Sequence, residues 1–159
     1  MEYAQLAEEL KKDECVKHWG SQDLRIWLRD QCKCAYCDED LLATFERAYY
    51  GYNYDHLLPK SAYKELESNE LNLVLSCCTC NKIKATCDPN HWDHKGTRQE
   101  PLYDGKIFDP NIRSELIQRV RRDVTDYKAP YKARFAAEQS LLRKAVEERV
   151  KAASASSGL

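Results

Sequence analysis

Apolar residues near the start of the chain, Leu6, Ala7, Leu10 and Val16, recur at helical spacing. They predict a modest amphipathic helix over residues 3–16, stopped by Gly20. Ser21 reads as the N-cap of a second helix, 22–32, whose broad apolar face is Leu24, Ile26, Trp27 and Leu28. The rhythm then changes. Over residues 49–58 the tyrosines Tyr49, Tyr50, Tyr52 and Tyr54, with Gly51 and Asn53, suit a strand or loop, and Pro59 ends it. A short helix is expected over 63–68, a short strand over 71–75, and a helix from about 80 to 86 stopped by Asp88-Pro89. Pro, Gly, Asn and Asp crowd the next stretch, which predicts an irregular loop over 89–111. Two helices should follow, 112–127 and 130–152, with Pro130 in the first turn of the second. The small polar residues of 153–159 predict a disordered tail. The pattern therefore divides into an N-terminal helical segment (1–29), a mixed α+β core (30–88), a loop, C-terminal helices (112–152) and a tail.

Composition narrows this picture. At 159 residues the chain should form one compact domain with helical extensions. Residues 1–12 are charged throughout and carry no apolar run of the kind that opens a signal peptide, so a cytoplasmic protein is expected. No apolar run approaches the roughly 20 residues needed to span a bilayer, which excludes a membrane helix. In that setting the eight cysteines read as metal thiolates and buried thiols rather than disulfides. The net charge of −1 is unevenly spread: residues 113–151 hold eleven basic and six acidic side chains. A basic C-terminal arm is compatible with phosphate contacts, and equally with an ordinary solvated helix surface.

Two cysteine pairs stand out, Cys34-x-x-Cys37 and Cys77-x-x-Cys80. Each spacing makes a turn that points two sulfurs the same way, and four thiolates match a tetrahedral zinc site. Cys78 competes for the second pair but breaks the spacing, and Cys15, Cys32 and Cys87 have no partner and read as buried thiols. Between and just after the pairs lie Asp55-His56, Asn72 and Asn81. A neutral imidazole takes a proton from water near pH 7, and a carboxylate with an amide oxygen holds a hard cation such as Mg²⁺. Read singly, His56 is also compatible with a structural histidine or a replacement zinc ligand, and Asn72 and Asn81 with turn and N-cap residues. His91 and His94 sit at metal-like spacing around Trp92 but are expected as surface-loop residues, and Lys60 as a surface charge. The tyrosine cluster is expected to pack in a strand rather than stack on bases.

In order, Cys34-x-x-Cys37, Tyr54-Asp55-His56-Leu57-x-Pro59, Asn72-Leu73-x-Leu75 and Cys77-x-x-Cys80-Asn81-x-x-Lys84 resemble the HNH endonuclease family with its ββα-metal fold, over about residues 30–88. The resemblance implies an α+β fold: a ββα-metal core with structural zinc at Cys34, Cys37, Cys77 and Cys80, flanked by N- and C-terminal helices. It implies His56 as the general base and Asp55 as a ligand of the catalytic cation. Asn72 then fixes the hairpin loop and orients His56. Asn81 stands where many members have a final histidine, giving an H-N-N variant in which Asn81 completes an oxygen site suited to Mg²⁺ or Mn²⁺. Lys84 is implied as a phosphate contact, with Lys82 a weaker one.

The function expected is metal-dependent hydrolysis of double-stranded DNA. The alternative is a zinc-stabilised module that binds nucleic acid or protein without catalysis. Few phosphate contacts make a weak grip, so a partner such as an ATPase, in a phage-defence or restriction system, is expected to supply targeting or activation. If the chain acts alone, residues 112–152 supply the DNA surface, with Arg119, Arg121 and Arg122 the leading contacts.

Overall fold

The computed structural model describes residues 2–156, and side chains from residue 3 to residue 151. Its elements run α1 (Glu2–Leu10), α2 (Ser21–Arg29), α3 (Phe45–Tyr50), β1 (Tyr52–His56), β2 (Leu73–Cys77), α4 (Cys78–Lys84) and α5 (Pro110–Ser156). Two single 3-10 turns, Lys64–Leu66 and Glu70–Asn72, lie between the strands. β1 and β2 pair antiparallel, with Tyr52 opposite Cys77, Asp55 opposite Val74 and His56 opposite Leu73. α4 follows β2 without a linker and packs back on both strands. The centre of the molecule is therefore a ββα unit with helices on either side in sequence, as the mixed α+β reading expects.

Strand pleat decides which side chains meet α4, because successive residues point to opposite faces. Tyr52 lies edge-on against Trp27 of α2 at 4.9 Å between ring centroids, and Trp27 Nε1 donates to Tyr54 Oη at 3.0 Å. The alternate residues Asn53 and Asp55 meet α4 instead, through Cys78 and Lys84. β2 is buried from Val74 to Cys77, and with Ile26, Trp27, Leu41, Leu57 and Leu58 it forms one apolar core. Leu116, Ile117, Val120 and Val124 of α5 close that core.

Arginine clamps tie the flanks to the hairpin. Arg29 donates to the carbonyls of Glu70 (2.8 Å) and Leu73 (2.6 Å), while Asp30 accepts from Leu75 N (2.8 Å) and from Arg113 Nη2 (2.7 Å). Arg119 donates to the carbonyls of Pro89, Asn90 and Glu100, and Arg121 to Ala35 O and the Asp38 carboxylate. These two side chains therefore brace the fold, contrary to the expectation of a DNA surface on Arg119, Arg121 and Arg122; of the three only Arg122 is exposed.

Several element boundaries differ from the sequence reading for identifiable reasons. α1 ends at Leu10 rather than 16, since hydrogen bonding beyond it passes into tight turns. Gly20, not Ser21, is the N-cap of α2; its carbonyl accepts from Leu24 N at 3.1 Å. Tyr49 and Tyr50 are helical rather than extended, because Thr44 caps α3 by accepting from Arg47 N (3.3 Å). Gly51 ends that helix where an added Cβ would sit 2.7 Å from Arg47 Cα. α4 starts at Cys78, so Asn81 lies inside the helix instead of opening it; the N-cap is Cys77, whose sulfur accepts from Cys80 N at 3.4 Å.

The chain divides into two compact units, Met1–Val124 and Thr125–Leu159. The second is helical through Ser156, and within it the Tyr127 and Tyr131 rings stack at 5.2 Å. The two expected C-terminal helices are one element with Pro130 inside it. Proline removes one backbone bond there, but the alanines and lysines around it are strong helix formers. The same propensity at Ala153 and Ala155 carries the helix into the segment read as a disordered tail; residues 157–159 lie outside those described.

Candidate active site and metal centre

Four sulfurs converge. The Sγ atoms of Cys34, Cys37, Cys77 and Cys80 all lie within 4.8 Å of one another, and Cys37 Sγ to Cys77 Sγ is 3.9 Å. A tetrahedral ion with metal–sulfur bonds of about 2.3 Å separates its ligands by roughly 3.8 Å. The Cys37–Cys77 separation matches that spacing, and the four thiolates are a donor set suited to zinc. Its two halves come from the turn after α2 and from the β2–α4 junction, so one ion would staple the start of α4 to the front of the domain. Crowding shifts the thiols in different directions: the Cys37 contact pushes Cys34 up, hydrogen bonds to Cys77 and Cys80 more than offset this, and Cys34 settles at about 7. Cys78 takes no part, since its sulfur donates to Tyr50 O and accepts from Asn53 Nδ2, both at 3.3 Å. Of the remaining thiols, Cys15 is exposed rather than buried, because its turn lies off the core. Cys32 and Cys87 are half-buried, and desolvation raises both.

Asp55, one residue from the end of β1, is 8% exposed. Tyr36 Oη donates to its Oδ2 at 2.5 Å, and Lys84 Nζ lies 3.2 Å from Oδ2 and 3.4 Å from Oδ1. Lys84 also donates to His56 O at 2.8 Å. Its side chain is buried, so the ammonium expected on phosphate is turned inward onto the carboxylate, because α4 packs against β1 along the face that carries it. Lys82 is exposed. Asn81 precedes Lys84 by three residues and shares that helix face. No hydrogen bond joins Asn81 to Asp55 or His56 among the described residues.

His56 Nε2 lies 3.0 Å from Glu67 O. A carbonyl only accepts, so Nε2 carries a hydrogen, and in the neutral ring the lone pair is then on Nδ1. Glu67 belongs to the loop between the strands, and Asn72 fixes that loop. Fully buried, Asn72 accepts from Leu58 N (2.8 Å) and donates to Leu58 O (3.0 Å) and Leu66 O (3.3 Å), while its own carbonyl accepts from Leu57 N (2.8 Å).

The paired histidines of the loop after α4 diverge. His91 Nδ1 pairs with Asp88 (3.0 Å) and lies 3.1 Å from Tyr63 Oη, whereas His94 Nδ1 pairs with Asp123 (3.1 Å). They share no site. Tyr36 is the residue that sequence reasoning missed. The only signal was an aromatic inside a Cys-x-x-Cys turn, and nothing local links it to an aspartate nineteen positions away. It is fully buried, and desolvation together with the negative charge of Asp55 holds its phenol protonated well above the usual tyrosine range.

Residues 34–86 match the family model of the HNH endonucleases. The match covers about a third of the chain and takes in both cysteine pairs, the hairpin and α4. No curated protein and no solved structure matches the chain.

Proposed function

We propose that this chain, which carries an HNH endonuclease domain at residues 34–86, is a metal-dependent endonuclease hydrolysing phosphodiester bonds of DNA. The observation that carries the reading is the pair of preset groups at the end of β1: a buried Asp55 carboxylate, and beside it an imidazole whose Nε2 is committed to Glu67 O. His56 Nδ1 takes the proton of the attacking water as the water oxygen bonds to phosphorus and the bond to the leaving 3′ oxygen breaks. The leaving oxygen is then protonated from solvent.

Asp55 and Asn81 would hold the divalent cation. A carboxylate and an amide oxygen suit Mg²⁺ or Mn²⁺. When bound, that cation supplies Lewis-acid stabilisation of charge on the scissile phosphate and the leaving oxygen. Asn72 positions His56 through the loop. Lys82, exposed on α4, is the phosphate contact, and Lys84 steadies Asp55. Cys34, Cys37, Cys77 and Cys80 would hold a structural zinc, which would serve to hold α4 against the hairpin.

Charge supports assisted targeting. Residues 1–124 carry eighteen basic and twenty-two acidic side chains, which is a poor grip on a polyanion. A partner such as an ATPase, in a cytoplasmic phage-defence or restriction system, would supply what the nuclease unit lacks. No helix among the described residues is long and apolar enough to cross a membrane.

The test is nicking of supercoiled plasmid by the full chain with Mg²⁺ or Mn²⁺, beside His56→Ala. The variant should be slower by about 10²- to 10⁴-fold with unchanged zinc content. Equal nicking by both proteins would show the cleavage to be extraneous and favour a non-catalytic binding module.

A further inference from the structure

Tyr36 belongs to the cysteine turn by sequence and to the hydrolytic site by contact. It sits between Ala35 and the metal-type ligand Cys37, is 1% exposed, and has its hydroxyl 2.5 Å from Asp55 Oδ2. The backbone around it is also fixed on both sides. Ala35 N donates to Leu75 O (2.8 Å) and Arg121 Nε to Ala35 O (2.7 Å). The ring therefore cannot move far without opening the turn that the four sulfurs close.

We infer that Tyr36 is a positioning residue for the hydrolytic cation, coupling the four-cysteine site to the Asp55 carboxylate. Closure of the cysteine turn aims the phenol, and the phenol holds Oδ2. That contact leaves Oδ1, which only the longer Lys84 contact shares, as the oxygen turned to a cation. A carboxylate left to rotate would have to be ordered each time a cation binds, and partners of this kind around a ligand typically govern its metal affinity. The inference rests on Asp55 being a cation ligand, as proposed above.

The experiment measures Mn²⁺ binding by isothermal calorimetry on the zinc-loaded full chain, for the native protein, Tyr36→Phe and Asp55→Asn. Zinc content, melting temperature and plasmid nicking are followed on the same samples. Tyr36→Phe, which loses one oxygen and keeps the ring, should retain full zinc and a cooperative melting transition, a few degrees lower for the lost buried hydrogen bond. It should bind Mn²⁺ about tenfold or more weakly and recover the native nicking rate once Mn²⁺ is saturating. Unchanged Mn²⁺ affinity in Tyr36→Phe, with Asp55→Asn losing it, overturns the positioning role alone. Unchanged affinity in both variants overturns the Asp55 assignment and this inference with it. Loss of zinc alongside Mn²⁺ affinity makes the hydroxyl an element of the fold and likewise overturns the role.

Discussion

Asn72 makes three hydrogen bonds with its side chain inside the loop between the strands, and it does so with no exposed surface. Its amide bridges Leu58 on one side of the loop and Leu66 on the other, one residue before the carbonyl that holds His56. His56, the proposed general base, is thus oriented at second hand. Asn72→Ala would leave Leu58 N and Leu58 O buried without partners, whereas Leu66 O keeps its bond from Asn69 N, at a cost of about 3 kcal/mol. For a domain of this size that is roughly 6–12 °C in melting temperature. Nicking should fall even at temperatures far below the variant's melting point, because the Glu67 carbonyl no longer fixes the imidazole. Calorimetric melting and nicking at low temperature check both halves. Full activity in a destabilised variant would show that the loop orients His56 without Asn72.

α4 has seven residues, too few to persist as a helix in water on its own propensity. What fixes it is its first turn, where Cys77 caps the helix and Cys80 faces Cys34 and Cys37. Chelation of the cysteine-bound metal should therefore release α4 and the hairpin together, with loss of near-ultraviolet dichroism, new proteolytic cleavage within residues 34–86, and recovery on adding zinc. Cys80→Ser should do the same without chelator. Resistance to both treatments would show that the apolar core alone holds the ββα unit. These elements were also the ones most legible beforehand, for a physical reason. Ligand spacing in Cys34-x-x-Cys37 and Cys77-x-x-Cys80 is a covalent property of the chain, as is the adjacency of Asp55 and His56. By contrast, α3 depends on a cap by Thr44 that outweighs the strand preference of its tyrosines. The inward turn of Lys84 and the reach of Tyr36 to Asp55 depend on packing between elements distant in sequence, which no local pattern encodes. Pro130 misled for the complementary reason, since a strong local signal was outweighed by the residues on either side.

At the scale of the whole molecule, structural completeness and charge fall in different places. Among the described residues, every buried apolar side chain of the core lies between Ala7 and Val124, so the unit Met1–Val124 has what it needs to fold. Thr125–Leu159 contributes seven basic and four acidic side chains, against an acidic excess in the rest. A chain ending at Val124 should keep its zinc and melt cooperatively, yet bind DNA more weakly than the full chain. The salt dependence discriminates the cause. If the basic side chains of Thr125–Leu159 neutralise phosphates, the slope of log K against log salt should flatten on truncation by roughly one for each phosphate no longer neutralised. Fluorescence anisotropy with a labelled duplex over a range of salt measures this directly. An unchanged slope would assign phosphate binding to residues 1–124, with Lys82 and Arg122 the first side chains to neutralise, and would leave the C-terminal unit free for a protein partner.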